Sequence, residues 1–266
     1  MAWNKEGIIR LATVDSTNRY MRDMANELWN RCGSNGFVVV TAGHQTAGRG
    51  QRGNTWSSNA GENLLFSILV RPGEALKVKE QFLLSQAVAL AVHDAMKCYG
   101  IDTRLKWPND IYVGKRKLAG ILMELDYSGT FVEQAIIGIG LNVNQDSFPA
   151  MDRVPVSMKM LREAESGNVK TGSGKQRQDF ILDDVLARIL DFFEHYYTEL
   201  RFGNRDAIVA EYKTQLLGIN VQNTFIDRNG RFEAVIQDVE SDGHLLLKRN
   251  DGSMGRYAFK EVEMVL

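Results

Sequence analysis

The sequence predicts an α+β fold: a mixed, mainly antiparallel sheet with helices, followed by a small C-terminal β-barrel. Three observations predict it. Five or six strand-like runs follow one another between Ile8 and Ile139 with few long helices between them, unlike the strict alternation of a doubly wound parallel sheet. Two long segments, Lys79–Tyr99 and Asp179–Tyr197, carry apolar residues at helical spacing. From Leu217 onward, short strand-like runs alternate with tight-turn signals. The expected division is therefore a domain of residues 1–216 and a smaller one of residues 217–266. The 266 residues are enough for a large and a small domain.

Taken in order, Ile8–Ala12 is a short apolar run and reads as a strand. Asp15-Ser16-Thr17-Asn18 reads as an N-cap region before a helix over Arg19–Asn30, where Tyr20, Met24 and Leu28 recur at helical spacing. Ser16 and Thr17 have two possible jobs: to cap this helix, or to offer hydroxyls and helix-start N–H groups to a ligand. Capping is the simpler. Phe37–Thr41 is β-rich and Leu64–Val70 is solidly apolar, so both read as buried strands. Pro72-Gly73 marks a turn. In Lys79–Tyr99, Phe82, Leu83, Val88, Ala91, Val92 and Ala95 face inward, and His93 reads as structural.

Arg104–Trp107 is strand-like and ends at Pro108, which cannot donate to a ladder. Ile111–Val113 and Lys117–Leu125 read as the arms of a hairpin turning at Gly114, the second arm broken at Gly120. Phe131–Ile139 is a further strand closed by Gly140. Asp146–Pro155 reads as a loop, Val156–Glu165 as a short helix and Ser166–Gly174 as a mobile polar stretch. Asp179–Tyr197 carries a broad apolar stripe that leaves His195 on its wet side. Arg205–Leu216 reads as the last helix of the first domain. The small domain has strand-like runs at Asn220–Ile226, Arg231–Val239, His244–Lys248 and Gly255–Phe259, separated by turn signals at Asp227–Gly230, Ser241–Gly243 and Asn250–Gly252.

Composition narrows the function. The chain is 44% hydrophobic and 24% charged, with 32 basic and 33 acidic residues and a formal charge of −1. That balance argues against nucleic-acid binding through bulk charge and leaves room for a local basic groove. Cys32 and Cys98 have no metal-ligand spacing, and the expectation is a reduced cytoplasmic protein. No apolar run approaches the roughly 20 residues that span a bilayer. Met1–Arg10 has no apolar signal core.

The stretch richest in chemistry runs Gly48-Arg49-Gly50-Gln51-Arg52-Gly53-Asn54-Thr55-Trp56-Ser57, with Gln45 upstream. Glycines let a ligand approach the main chain. Arginines offer donor forks suited to phosphate and carboxylate. Tryptophan adds a flat apolar face. A loop of this kind suits a small anion that carries a ring, and equally a flexible surface loop with solvated charges. Lys106 stands just before Trp107-Pro108-Asn109-Asp110, where a rigid turn can hold its charge in place. Lys115 and Arg116 read as a charged turn, whereas Lys117 has Leu118-Ala119-Gly120 close behind it. In Gly138–Asn144, Asn142 offers one donor and one acceptor, a match for a nucleobase edge. No nucleophile–histidine pair and no metal cluster is evident, and the P-loop pattern is absent. Gly48-x-Gly50-x-x-Gly53 has the bare dinucleotide spacing, but its arginines and the lack of a following apolar helix argue against that assignment.

These residues together resemble the biotin–protein ligases, also called biotin–acetyl-CoA-carboxylase ligases or holocarboxylase synthetases. The matching stretches are Asp15–Asn18, Gln45–Ser57, Lys106–Asp110, Lys117–Leu122 and Gly138–Asn144, in family order and spacing. The resemblance implies a class II synthetase-like catalytic domain capped by an SH3-like β-barrel. It implies ATP, biotin and Mg2+ as ligands, with no dedicated metal-binding residues. It places Ser16, Thr17 and Gln45 by the biotin ureido ring and Gly48 in backbone contact. Arg49 and Arg52 order the loop and face carboxylate and phosphate, with Gln51 between them. Trp56 packs on adenine, Lys106 holds oxygens at the reacting centre, Leu118 and Gly120 line the biotin pocket, and Asn142 recognises adenine. Gln51 and Asn54 stand where many relatives carry arginine, and this bears on how tightly the adenylate is retained.

The implied partner is a biotin carboxyl carrier protein domain of a biotin-dependent carboxylase. The implied assembly is a monomer or homodimer. Larger relatives carry an N-terminal DNA-binding winged helix. Ser16 arrives too early to leave room for one, so DNA binding is not expected. Two alternatives remain open from the sequence: a lipoate–protein ligase, whose usual triple-glycine signature is not seen, and a non-catalytic biotin or nucleotide binder.

Overall fold

Apolar residues on alternate and on successive positions decide how the strands are covered. In the computed structural model, which describes residues 7–33, 36–149, 153–166 and 178–266, they form two sheets. The first contains β1 (Ile8–Val14), β2 (Phe37–Gln45), β3 (Leu64–Val70), β4 (Gly73–Lys77), β5 (Arg104–Lys106), β6 (Asp110–Val113), β7 (Arg116–Ser128) and β8 (Phe131–Leu141). Their order is β1-β2-β3-β8-β7-β6-β5, with β4 pairing β8. The β1–β2 pair is parallel and the other pairs are antiparallel, the mixed sheet expected from the sequence.

Successive side chains of a strand point to opposite faces. Val38, Val40, Leu69 and Ile136 pack against Met21, Ala25 and Leu28 of α1 (Thr17–Asp23) and α2 (Ala25–Cys32). Phe37, Val39, Phe66, Ile68, Val70 and Ile137 face the main core with α3 (Phe82–Lys97) and α5 (Leu182–Phe202). β3 is buried at all seven positions, as a strand covered on both faces must be. Likewise α3 buries 13 of its 16 residues, because α5 covers what the sheet does not. Among the described residues, α4 (Met158–Ser166) and α6 (Arg205–Gln215) are the remaining α-helices.

Some elements differ from the sequence expectation. The helix expected over Arg19–Asn30 is two helices, interrupted at Met24 (φ −106°, ψ 7°). Met21, Ala25 and Leu28 therefore meet the sheet, while Tyr20 and Met24 stay half-buried beside it. β7 runs unbroken through Gly120. Beyond Ser166, the stretch expected to be mobile lies outside the described residues, as do residues 1–6. Among the described residues, no helix is long and apolar enough to cross a membrane.

A five-stranded antiparallel sheet occupies the place expected for the small β-barrel. It contains β9 (Gln222–Asp227), β10 (Gly230–Val239), β11 (Leu245–Arg249), β12 (Met254–Tyr257) and β13 (Val262–Met264), in the order β12-β11-β10-β9-β13. Its turns use Gly230, Gly243 and Gly252 at φ of 115°, 96° and 83°, backbone angles that favour glycine. This sheet packs on the β5 end of the first. Trp107 Nε1 donates to the Gly243 carbonyl at 2.9 Å, and the Trp107 and Phe82 rings lie 5.4 and 6.0 Å from Phe259. The Leu217 amide donates to the Leu105 carbonyl at 2.8 Å.

His93 is structural and carries a pH dependence. It is fully buried in α3, with Nδ1 2.6 Å from Thr103 Oγ1 and Nε2 without a partner. Burial, aided by the Lys97 charge, lowers its pKa from 6.5 to about 4. The unfolded chain therefore binds this proton below 6.5, whereas the folded chain does not until about 4. Linkage then removes stability as pH falls through that window. Urea unfolding at pH 7 and pH 5 is expected to show the loss, and His93→Gln to flatten it. An equal slope in both proteins would assign the effect to other groups.

Candidate active site

The site begins where β1 and β2 end and α1 starts. Ser16 occupies the N-cap position in extended backbone but makes no side-chain cap bond. The capping role is thus not used, and Ser16 lines the cavity described below. Thr17 donates from both its amide (2.7 Å) and its hydroxyl (3.1 Å) to Gln45 Oε1. Beneath them Ser67 Oγ donates to Asn18 Oδ1 at 2.6 Å and stands 2.8 Å from Thr17 Oγ1. Asn18 Nδ2 in turn donates to Glu124 Oε2 at 3.2 Å. Each of Thr17, Asn18 and Ser67 is buried, so these bonds fix the wall in one arrangement.

The glycine–arginine loop closes on itself. The Trp56 amide donates to the Gly48 carbonyl at 2.9 Å, the Gly50 amide donates to Asn54 O at 2.7 Å, and a turn over Gln51–Gly53 forms the tip. This carries the Trp56 indole back over β7 and β8, onto the cross-strand pair Gly120 and Gly140. A Cβ on Gly140 would overlap the indole, and one on Gly120 would come within 3.1 Å of it. The glycines therefore make room for the tryptophan. Lys117 Nζ lies 5.6 Å from the Trp56 ring centroid.

These parts enclose a cavity of about 460 Å³ between the two sheets. Ser16, Thr17, Gln45, Arg49, Gln51, Trp56, Lys106 and Gly120 line it, as does Asn54. Other expected site residues are placed differently. Gly48 lends its carbonyl to the loop rather than to the cavity wall. Leu118 is fully buried in the core. Asn142 is buried behind the wall, its Nδ2 donating to Val156 O (3.1 Å) and Lys117 O (3.5 Å). Arg52 belongs to the loop's tip, and its side chain lies outside the described residues.

The cavity also has an ionic floor that sequence reasoning did not assemble. Asp110 is buried, with one oxygen 2.7 Å from Lys117 Nζ and the other 3.1 Å from Arg153 Nη1. Arg153 Nη2 reaches Glu263 of β13 at 3.3 Å. Arg49 pairs with Glu124 at 3.2 Å. Asp110 was visible as the end of the Trp107–Asp110 turn, and Lys117 stood out without a role. Arg153 and Glu263 are 43 and 153 residues from Asp110, and no local pattern marks them. Lys106 is 7% exposed, with Nζ 5.8 Å from the Tyr112 ring centroid. Burial lowers its pKa and Arg153 adds to this, with Asp110 and Glu263 acting in the opposite direction. Burial, then the Asp110 charge, pushes Tyr112 up to about 12, so it faces the lysine as a neutral phenol. The cavity thus combines a fixed hydrogen-bonding wall, an indole platform and five cationic side chains, those of Arg49, Lys106, Lys117, Arg153 and Lys260. That set suits a carboxylic acid with a polar head, brought together with a phosphate-bearing ligand.

Known proteins resemble this chain in sequence and in fold. The profile of the biotin/lipoate A/B protein ligase family matches residues 11–142, the part that carries most of the cavity wall. The bifunctional ligase/repressor BirA of Bacillus subtilis is 32% identical over 228 residues, covering 86% of this chain and 66% of that protein. The biotin–[acetyl-CoA-carboxylase] ligase of Paracoccus denitrificans is 40% identical over 137 residues, covering 50% of this chain and 53% of that one. The matched stretch spans about two thirds or less of the length of these relatives. The structure of biotin protein ligase from Aquifex aeolicus in complex with biotin and ATP shares the fold, with a TM-score of 0.74 at 24% identity. It covers 98% of this chain and 99% of its own. The structure from Leishmania major in complex with biotin has a TM-score of 0.61 at 23% identity and covers 97% of this chain and 100% of its own. Sequence over the cavity wall and fold over the whole length agree: the chain belongs to the biotin/lipoate A/B protein ligase family.

Proposed function

We propose that the protein is a biotin–protein ligase. It activates biotin with ATP to biotinyl-5′-AMP and transfers the biotinyl group to a lysine of a biotin carboxyl carrier protein domain, in the cytoplasm. One observation carries this reading: the Thr17–Gln45 wall, Trp56 and the cations Arg49, Lys106 and Lys117 all face one cavity. Because Thr17 occupies Gln45 Oε1, the amide NH2 is the group that Gln45 presents, matched to a ureido carbonyl. Ser16 adds a hydroxyl beside it.

In the first step, a biotin carboxylate oxygen attacks the α-phosphorus, a P–O bond forms, and the bond to pyrophosphate breaks. Two anions must meet, and Lys106, Lys117 and the loop arginines Arg49 and Arg52 lower that repulsion and stabilise the charge at the transferring phosphorus. In the second step, the acceptor amine attacks the anhydride carbonyl, an amide forms, and AMP leaves with the C–O electron pair as the amine loses its proton. Trp56 and the closed loop exclude water from the anhydride. Asn142 and Leu118 act from behind the wall, Asn142 by fixing the backbone at Lys117.

Both carboxylates at the ionic floor, Asp110 and Glu263, are already paired with cations. A magnesium ion would therefore come with the nucleotide, held by its phosphates and water, and would offset phosphate charge there. Among the described residues, Glu240, Asp242 and His244 cluster closely enough for a metal, but Arg256 holds both carboxylates at 2.5 Å and none of the three lines the cavity. Residues 1–216 form the catalytic unit in this reading. Residues 217–266 form a second unit whose Lys260, Val262, Glu263 and Met264 close the cavity.

The test is exchange of labelled pyrophosphate into ATP by the purified protein, with biotin and lipoate as parallel substrates. Exchange with biotin and not lipoate is the expected result. Folded protein that exchanges with neither acid is a binder, and the catalytic roles above then fail.

A further inference from the structure

The ionic floor holds one cation that the adenylation chemistry above does not use. Arg153 lies outside residues 11–142 that match the family profile. Its position is nevertheless fixed. The Lys117 amide donates to Val154 O at 2.8 Å and the Val156 amide donates to Lys117 O at 2.9 Å, so residues 154–156 run beside the start of β7. Asn142 ties the same segment down through Val156 O. Arg153 is thereby delivered next to Asp110, one carboxylate away from Lys117, and it lines the cavity.

The two partners of Arg153 are unequal. The Asp110 side chain is 7% exposed and also bound by Lys117, so it is held. The Glu263 side chain is 63% exposed, and an ion pair on such a carboxylate is weak and exchangeable. A guanidinium has five N–H donors in a rigid fork that matches phosphate oxygens. Lys106, Lys117 and Arg153 outnumber Asp110 and Glu263, so this corner favours an added anion.

We propose that Arg153 binds the nucleotide's polyphosphate, held ready by Asp110, and that Glu263 of the C-terminal sheet is the carboxylate it gives up when phosphate arrives. The inference rests on the ligase reading and deepens it. It assigns the second sheet a part in nucleotide binding: Glu263 restrains Arg153 until a stronger anion competes.

The test measures pyrophosphate exchange with ATP and biotin varied in turn, on Arg153→Ala, Arg153→Lys and Glu263→Gln. Arg153→Ala is expected to raise the KM for ATP at least tenfold and to leave that for biotin within twofold. Arg153→Lys recovers part of the loss because it keeps the charge without the fork. Glu263→Gln lowers the KM for ATP about threefold, a gain that a purely structural ion pair cannot give. Its carboxylate is at the exposed rim, so this variant reads the idea even if Arg153→Ala folds poorly. An unchanged or raised KM for ATP in Glu263→Gln overturns the proposal, as do parallel rises for ATP and biotin in Arg153→Ala. In either case wild-type exchange with biotin leaves the ligase reading standing. Absent wild-type exchange removes that reading instead.

Discussion

Lys106→Ala is expected to lower biotin-dependent pyrophosphate exchange by about 10²–10³-fold, the usual cost of removing one preorganised group that meets developing charge. The melting temperature is expected to stay level or rise. The two effects separate because of where the lysine sits. Lys117 and Arg153 share the Asp110 carboxylate, whereas Lys106, a buried residue, has its ammonium 5.8 Å from the Tyr112 ring centroid. An ammonium so placed costs stability, which is why burial lowers its pKa. Such a group is kept for what it binds. A carboxylate and a phosphate arriving together supply further countercharge. Lys106→Arg keeps the charge but not its position, and is expected to restore little of the rate. Mass detection of biotinyl-AMP in a single turnover gives a second readout. A folded Lys106→Ala protein with normal exchange would transfer the leading role to Lys117.

What the sequence could and could not disclose follows from the range of each interaction. Leu64–Val70 was legible to the residue because a strand covered on both faces is apolar throughout. The glycine–arginine loop was legible as a site because its residue types are unusual together. The pair Lys117 and Leu118 was not. Tyr112 pairs with Lys117 and Ile111 with Ala119, so Leu118 is the extra residue of a bulge. A bulge resets which side chains face which way, and here it sends Leu118 to the core and Lys117 to the cavity. No periodicity announces such a shift. β4 and β13 were missed because strands of five and three residues at a sheet margin carry little pattern. The break at Met24 falls in a stretch without glycine or proline, the residues that usually signal one. Arg153 and Glu263 meet across 110 residues, and an ordinary surface arginine and glutamate look the same in a chain read locally.

Gly140→Val is expected to lower kcat/KM for biotin-dependent exchange at least tenfold, with a melting temperature close to that of the wild type. The backbone at Gly140 is not in the left-handed region, so a β-branched residue fits the strand itself. The conflict is on the cavity face, where the new Cβ overlaps the Trp56 indole before any γ-carbon is added. In a packed core such overlap costs about 1–3 kcal/mol. Trp56 rides on a loop that can yield, so the indole moves and the loss appears as activity rather than stability. Trp56→Ala alone is expected to weaken nucleotide more than biotin. The double variant then discriminates between two reasons for the glycine. If Gly140 exists to admit the indole, Gly140→Val in the Trp56→Ala background costs threefold or less, because the clash is gone and the two sites are strongly coupled. If Gly140 exists to let a ligand reach the strand, the full tenfold loss persists without the tryptophan. Equal losses in the two backgrounds would therefore move the glycine from the indole's account to the ligand's. The geometry of the Gly120–Gly140 pair under one ring predicts the smaller loss.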